Sequence, residues 1–231
     1  MKSILSIILI STTLVTSVFA QDCGQSFYAL KEKTKVTLSN YDGKGKLTGT
    51  SETTVKSVQS SADGFVATME VNAKNEKGKP VVEAKNFDVT CENGTIKLDI
   101  GSMYLNDMAT QMKGMDLKIS GVGLDIPPTL SEGQTLSDGD SEIKMGSNGM
   151  TFMTMKFSIK NRKVEKKETI TVAAGTYDAY KITYDMDMKV MFKRSIKAVQ
   201  WLVPSVGMIK SETYNAKGEL EGSTEMTKFE Q

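Results

Sequence analysis

The chain is predicted to fold as an antiparallel, mostly β protein, and two observations carry that prediction. Apolar residues recur at every second position through long stretches, the period of strands with one buried and one wet face. Between those stretches stand short turn signals that combine glycine with aspartate or asparagine. One-sided alternation favours antiparallel sheet, because parallel sheets are covered on both faces and read as continuous apolar runs.

Taken in order, the N-terminus reads as an export signal. Lys2 precedes an apolar run from Ile4 to Leu14, and Val18 and Ala20 suit a signal-peptidase site. Cleavage is expected after Ala20, giving a signal peptide at 1–20 and one β-rich domain at 21–231. The run is shorter than the roughly 20 residues of a spanning helix, so no transmembrane segment is expected in the mature chain. Asp22, directly before Cys23, argues against lipoprotein processing. Export puts Cys23 and Cys91 in an oxidising compartment, where an even count and the absence of C-x-x-C predict one disulfide.

Four strands are the clearest. Phe65, Ala67, Met69, Val71 and Ala73 alternate with polar residues, as do Ile96, Leu98 and Ile100. Met153, Met155, Phe157 and Ile159 make a third apolar parity, and Ile182, Tyr184, Met186, Met188 and Val190 a fourth. Three turns share one design: Asp42, Asn75 and Asn215 are each followed three residues later by glycine, and each predicts a hairpin. Asn93-Gly94 and Gly146-Ser147-Asn148-Gly149 are further hairpin signals. Tyr41, Lys44, Gly45, Leu47, Gly49 and Glu52 recur as Tyr214, Lys217, Gly218, Leu220, Gly222 and Glu225, through either an old duplication or convergent turn chemistry.

One segment departs from the strand period. From Ser102 to Met115, Leu105, Met108, Met112 and Met115 follow helical spacing, with Ser102 as N-cap and Gly114 near the end. A short amphipathic helix is predicted there. Pro127 and Pro128 then mark Asp125–Leu130 as a loop, since proline lacks the donor a central strand requires.

The chemistry available is limited. The chain has no histidine, which removes the commonest general base, nucleophile activator and zinc ligand together. No glycine-rich segment fits a nucleophile elbow, a P-loop or a dinucleotide fingerprint. Asp185 and Asp187 lie on the wet parity of their strand, where a solvated face is the better reading than a carboxylate pair. Without the signal peptide, 28 basic residues face 28 acidic ones. The densest basic stretch, Arg162–Lys167, reads as a solvated face, so no nucleic acid is expected as a partner. No enzyme activity, metal or cofactor is expected.

The chain has 15 methionines, and three readings are open: core packing, a soft lining for an apolar ligand, and a cuprous site on Met150, Met153, Met155, Met186 and Met188. Under the second, the ligand-lining residues are Met108, Met112, Met153, Met155, Phe157, Ile182, Tyr184, Met186 and Met188.

Two C-terminal segments carry a wider likeness, Val172-Ala173-Ala174-Gly175-Thr176-Tyr177-Asp178-Ala179-Tyr180-Lys181 and Trp201-Leu202-Val203-Pro204-Ser205-Val206-Gly207-Met208-Ile209-Lys210-Ser211-Glu212. With Cys23, Cys91-Glu92-Asn93-Gly94 and Pro128, Gly133 and Leu136, they resemble the TapB-like family of exported envelope proteins of Gram-negative bacteria, whose function is unassigned. Ala173 stands where that pattern usually has proline, a change expected only to loosen a turn. The resemblance implies a half-barrel like that of periplasmic lipoprotein carriers, a single curved antiparallel sheet with a short helix over its concave face. It also implies a periplasmic or extracellular location. The expected function is to bind or carry a lipid or acyl chain on the concave face. The alternative is a structural or protein-interaction module of the envelope with a closed core, whose partner is another envelope protein.

Overall fold

The structure, a computed structural model, describes residues 23, 26–61, 64–99, 116–190 and 192–231. The described residues form thirteen strands, which include one at each of the four alternating segments. The first seven are β1 (Lys35–Asp42), β2 (Leu47–Ser61), β3 (Gly64–Asn75), β4 (Pro80–Glu92), β5 (Thr95–Leu98), β6 (Asp116–Val122) and β7 (Leu124–Ile126). They are followed by β8 (Gly139–Ser147), β9 (Met150–Val172), β10 (Gly175–Lys189), β11 (Lys193–Val203), β12 (Gly207–Tyr214) and β13 (Leu220–Glu230). All thirteen belong to one sheet in the order β6-β8-β9-β10-β11-β12-β13-β1-β2-β3-β4-β5-β7.

That order overturns the expected open half-barrel. The two edge strands, β6 and β7, are consecutive in the chain and separated only by Gly123, so the sheet curls round until its edges meet. The result is a nearly closed antiparallel barrel. Glycine is required at the seam, because a Cβ on Gly123 would stand 2.5 Å from the Leu98 carbonyl oxygen. The helix expected at 102–115 lies outside the described residues, and among the described residues there is no α-helix. Asp125 and Ile126, expected in a loop, form the short edge strand β7, which ends at the two prolines.

The interior is filled from both sides of the ring. Val55, Ala67, Val89 and Ile96 from one arc pack with Val164, Ile182 and Leu202 from the other. The N-terminal segment joins them: Phe27 is buried and meets the Tyr180 ring edge-on, 5.7 Å between centroids. The Cys23–Cys91 disulfide and a hydrogen bond from Ser205 N–H to the Ser26 carbonyl hold that segment across one end of the barrel.

A second core lies on the other face of β10 and β11. These strands pair without a register shift, so Tyr180 and Leu202 face one way while Lys181 and Trp201 face the other. Trp201 gathers Ala179, Ile209 and Met226 there. The β9–β10 hairpin tip curls over to cover them, the Ala174 N–H donating to the Met226 carbonyl. Burial on both faces explains why Trp201-Leu202-Val203 reads as a continuous apolar run.

The three turns of shared design are alike atom for atom. One side-chain oxygen accepts two backbone N–H groups: Asp42 from Lys44 and Lys46, Asn75 from Lys77 and Lys79, Asn215 from Lys217 and Glu219, all at 2.8–3.1 Å. The glycines that follow, Gly45, Gly78 and Gly218, have φ of 78°, 74° and 81°. The two hairpins with the longer likeness are neighbours, because β13 pairs with β1. Asn75→Ala removes both side-chain hydrogen bonds of its turn and is expected to cost about 1 kcal/mol, or ~3 °C in Tm, on thermal unfolding. An unchanged Tm would show that backbone bonds alone hold the turn.

Candidate functional site

The residues expected to line an apolar ligand are distributed over separate surroundings. Ile182 is fully buried in the large core, with Tyr184 packed against it. Phe157 is buried in a smaller cluster with Ile143 and Met145, and Met155 and Met188 pack on that cluster. Register places Met186 opposite Ile159 and Met188 opposite Phe157 on the same face. Met186 and Met188 border a space of about 180 Å³ with Arg194, Ile196, Thr213 and Glu221. Ligand pockets usually measure roughly 300–1,000 Å³. Met153 is at the surface. Met108 and Met112 lie outside the described residues.

A larger groove, of about 740 Å³, runs along β4, β5 and the seam at Gly123. Its walls are polar: Asp88, Glu92, Lys97, Asp99 and Asp125 line it, with Lys97 ion-paired to Glu92. Such walls suit water better than an acyl chain.

The most unusual interior residue is Arg162, which the sequence places in a solvated basic stretch. It is 1% exposed. β9 carries two bulges opposite β10: Lys160 and Lys163 face Asp185 and Thr183, and Val164 and Lys166 face Ile182 and Lys181. Asn161, inside the first bulge, adopts φ of 54°. The extra residue turns Arg162 into the barrel. There its Nη1 donates to the carbonyls of Asp125, at 3.0 Å, and Ser137, at 2.7 Å. Burial lowers the pKa of the guanidinium, while Tyr184, Asp125, Asp138 and Tyr28 work in the other direction. Burial pushes the neighbouring Tyr28 hydroxyl up to about 12. Sequence reasoning missed both residues. The position of Tyr28 five residues after Cys23 was the available signal, since a disulfide pins its neighbours to the core.

Both strand carboxylates have partners on neighbouring strands. Asp185 accepts a hydrogen bond from Asn161 Nδ2, and Asp187 is bound by Ser195 and Lys193, which hold its carboxyl below the usual range. A glycosidic acid would need its pKa raised instead. Among the described residues, no three His, Cys, Asp or Glu side chains converge as metal ligands, and no helix is long and apolar enough to cross a membrane.

Two solved structures share this architecture. A Bacteroides fragilis protein named as exported, with a YmcC-like fold, matches with a TM-score of 0.72 at 20% identity, over 90% of this chain and 100% of that one. A Parabacteroides distasonis protein named as a lipoprotein matches with a TM-score of 0.73 at 22% identity, over 91% and 100%. At such identities the likeness shows the fold. No curated protein sequence matches the chain. Residues 31–226, most of the sequence, match the DUF3108-like family, and the protein belongs to that family.

Proposed function

We propose that this protein is a non-catalytic module of the cell envelope that acts through its outer surface, its core being closed. The observation that carries this reading is the filled interior: side chains from opposite arcs of the ring touch, and the disulfide-held Phe27 segment seals one end. A carrier of lipid needs a lined, enterable space, whereas the Met186 and Met188 face borders only about 180 Å³. The leader at 1–20, the disulfide and the exported proteins that share the fold support placement outside the cytoplasm. Within that placement, the TapB-like likeness of Val172–Lys181 and Trp201–Glu212 supports a narrower kinship.

Native mass spectrometry of the mature protein, purified gently from its own envelope, tests the reading. A bare mass with one disulfide is the expected result. A mass increment that organic extraction identifies as a lipid or acyl chain would overturn it and restore the carrier function.

A further inference from the structure

We propose that one rim of the barrel docks on the surface of an anionic lipid bilayer. The inference rests on the reading of the protein as a surface-acting module and names the partner. Pairing directions place five hairpin tips at the same end of the sheet: β1–β2, β3–β4, β8–β9, β10–β11 and β12–β13. The disulfide and the Phe27 segment close the opposite end.

Exposed apolar side chains gather on that rim. Eight large ones are exposed among the described residues, and seven belong to these five hairpins. Leu47 and Val81 follow the first two tips. Met150, Phe152 and Met153 crown the third, Phe192 occupies the fourth, and Leu220 follows the fifth. Phe192 is 85% exposed, and Met150 and Phe152 are each 64% exposed. Only Val122, at the seam, lies elsewhere.

Positive charge gathers on the same rim. Lys44 and Lys46 flank the first tip, Lys77 and Lys79 the second, Lys189, Lys193 and Arg194 the fourth, and Lys217 the fifth. These eight cations face five acids, Asp42, Glu76, Asp187, Glu219 and Glu221, for a net of +3 on a chain whose total is +1. Among the described residues no ion pair engages Lys44, Lys46, Lys77, Lys79 or Lys217.

Isolated aromatic and thioether tips ringed by lysine match the boundary between headgroups and acyl chains. The tips enter the apolar layer, and the long lysine stems keep their ammonium groups among the phosphates. A protein partner fits less well, because interface cores are depleted of lysine.

Co-sedimentation of the mature protein with vesicles tests the proposal. Binding is expected to phosphatidylethanolamine vesicles containing phosphatidylglycerol and not to phosphatidylcholine vesicles, and it should weaken with added salt. Phe152→Ser with Phe192→Ser should weaken it about tenfold at unchanged Tm, since both side chains are outside the core. No sedimentation with either vesicle would overturn the proposal, as would equal binding by the double variant. Self-association that the double variant abolishes, without vesicle binding, would assign the rim to a second copy and also overturn it. Self-association would double the native mass without adding lipid, and a lipid held only at the rim would be lost in the Phe152→Ser, Phe192→Ser variant whereas one held in the core would remain, so failure here and failure of the closed-core reading are distinguishable.

Discussion

Arg162→Ala is expected to unfold about 10 °C below the parent protein, a loss of about 3–4 kcal/mol. The guanidinium bridges carbonyls from two segments that meet inside the ring, Asp125 on β7 and Ser137 ahead of β8. Truncation leaves both acceptors buried without this donor and opens a cavity that the closed barrel cannot collapse into. Arg162→Met fills most of the volume without replacing the hydrogen bonds, so its Tm should fall between those of Ala and the parent. If the two variants melt alike, volume is irrelevant and the hydrogen bonds account for the whole effect. If neither melts below the parent, Arg162 does not hold the seam. Tyr28 adds a pH dependence at the alkaline end. Its hydroxyl is raised from 10.0 to about 12 in the fold, so the unfolded chain loses its proton first. This contribution to stability is intact below pH 10 and is lost as pH rises towards 12.

Cys23→Ser with Cys91→Ser is expected to lower stability by about 4 kcal/mol, on the chain-entropy estimate for a bridge 68 residues apart in sequence. The loss should be visible as a lower urea midpoint. The bridge also positions the cap: Cys23 is buried beside Cys91, and the chain then leads Phe27 against Tyr180 and Ser26 against Ser205. Without it, hydrogen exchange at Phe27–Leu30 should accelerate more than exchange at Ile182 or Leu202. Equal acceleration at both places would show that the segment is part of the cooperative core and not a separately stapled cap.

The parts of the fold legible in the sequence are those governed by neighbours in the chain. Asp42, Asn75 and Asn215 each satisfy backbone groups two and four residues on, so these hairpins could be read from six residues apiece. β10 was legible because it has no bulge against β11: Ile182, Tyr184, Met186 and Met188 keep one parity throughout. β9 was legible only to Ile159. Beyond it, two inserted residues change which parity faces inward, and a strand with period two hides such a change when the residues concerned are charged. Arg162 therefore looked like its lysine neighbours, and nothing in Asn161-Arg162-Lys163 distinguishes a bulge from a wet strand.

The sequence by itself determined an antiparallel sheet, five of the places where it turns, the pairing of its two cysteines and the poverty of its catalytic chemistry. Each of these follows from local periodicity, local turn chemistry or composition. The tertiary structure alone decided that the sheet closes, that Phe27 and Arg162 fill it, and that five hairpin tips share one rim. Closure depends on the summed twist and curl of thirteen strands and on β6 and β7 being sequence neighbours at opposite edges, and no window of residues contains that sum.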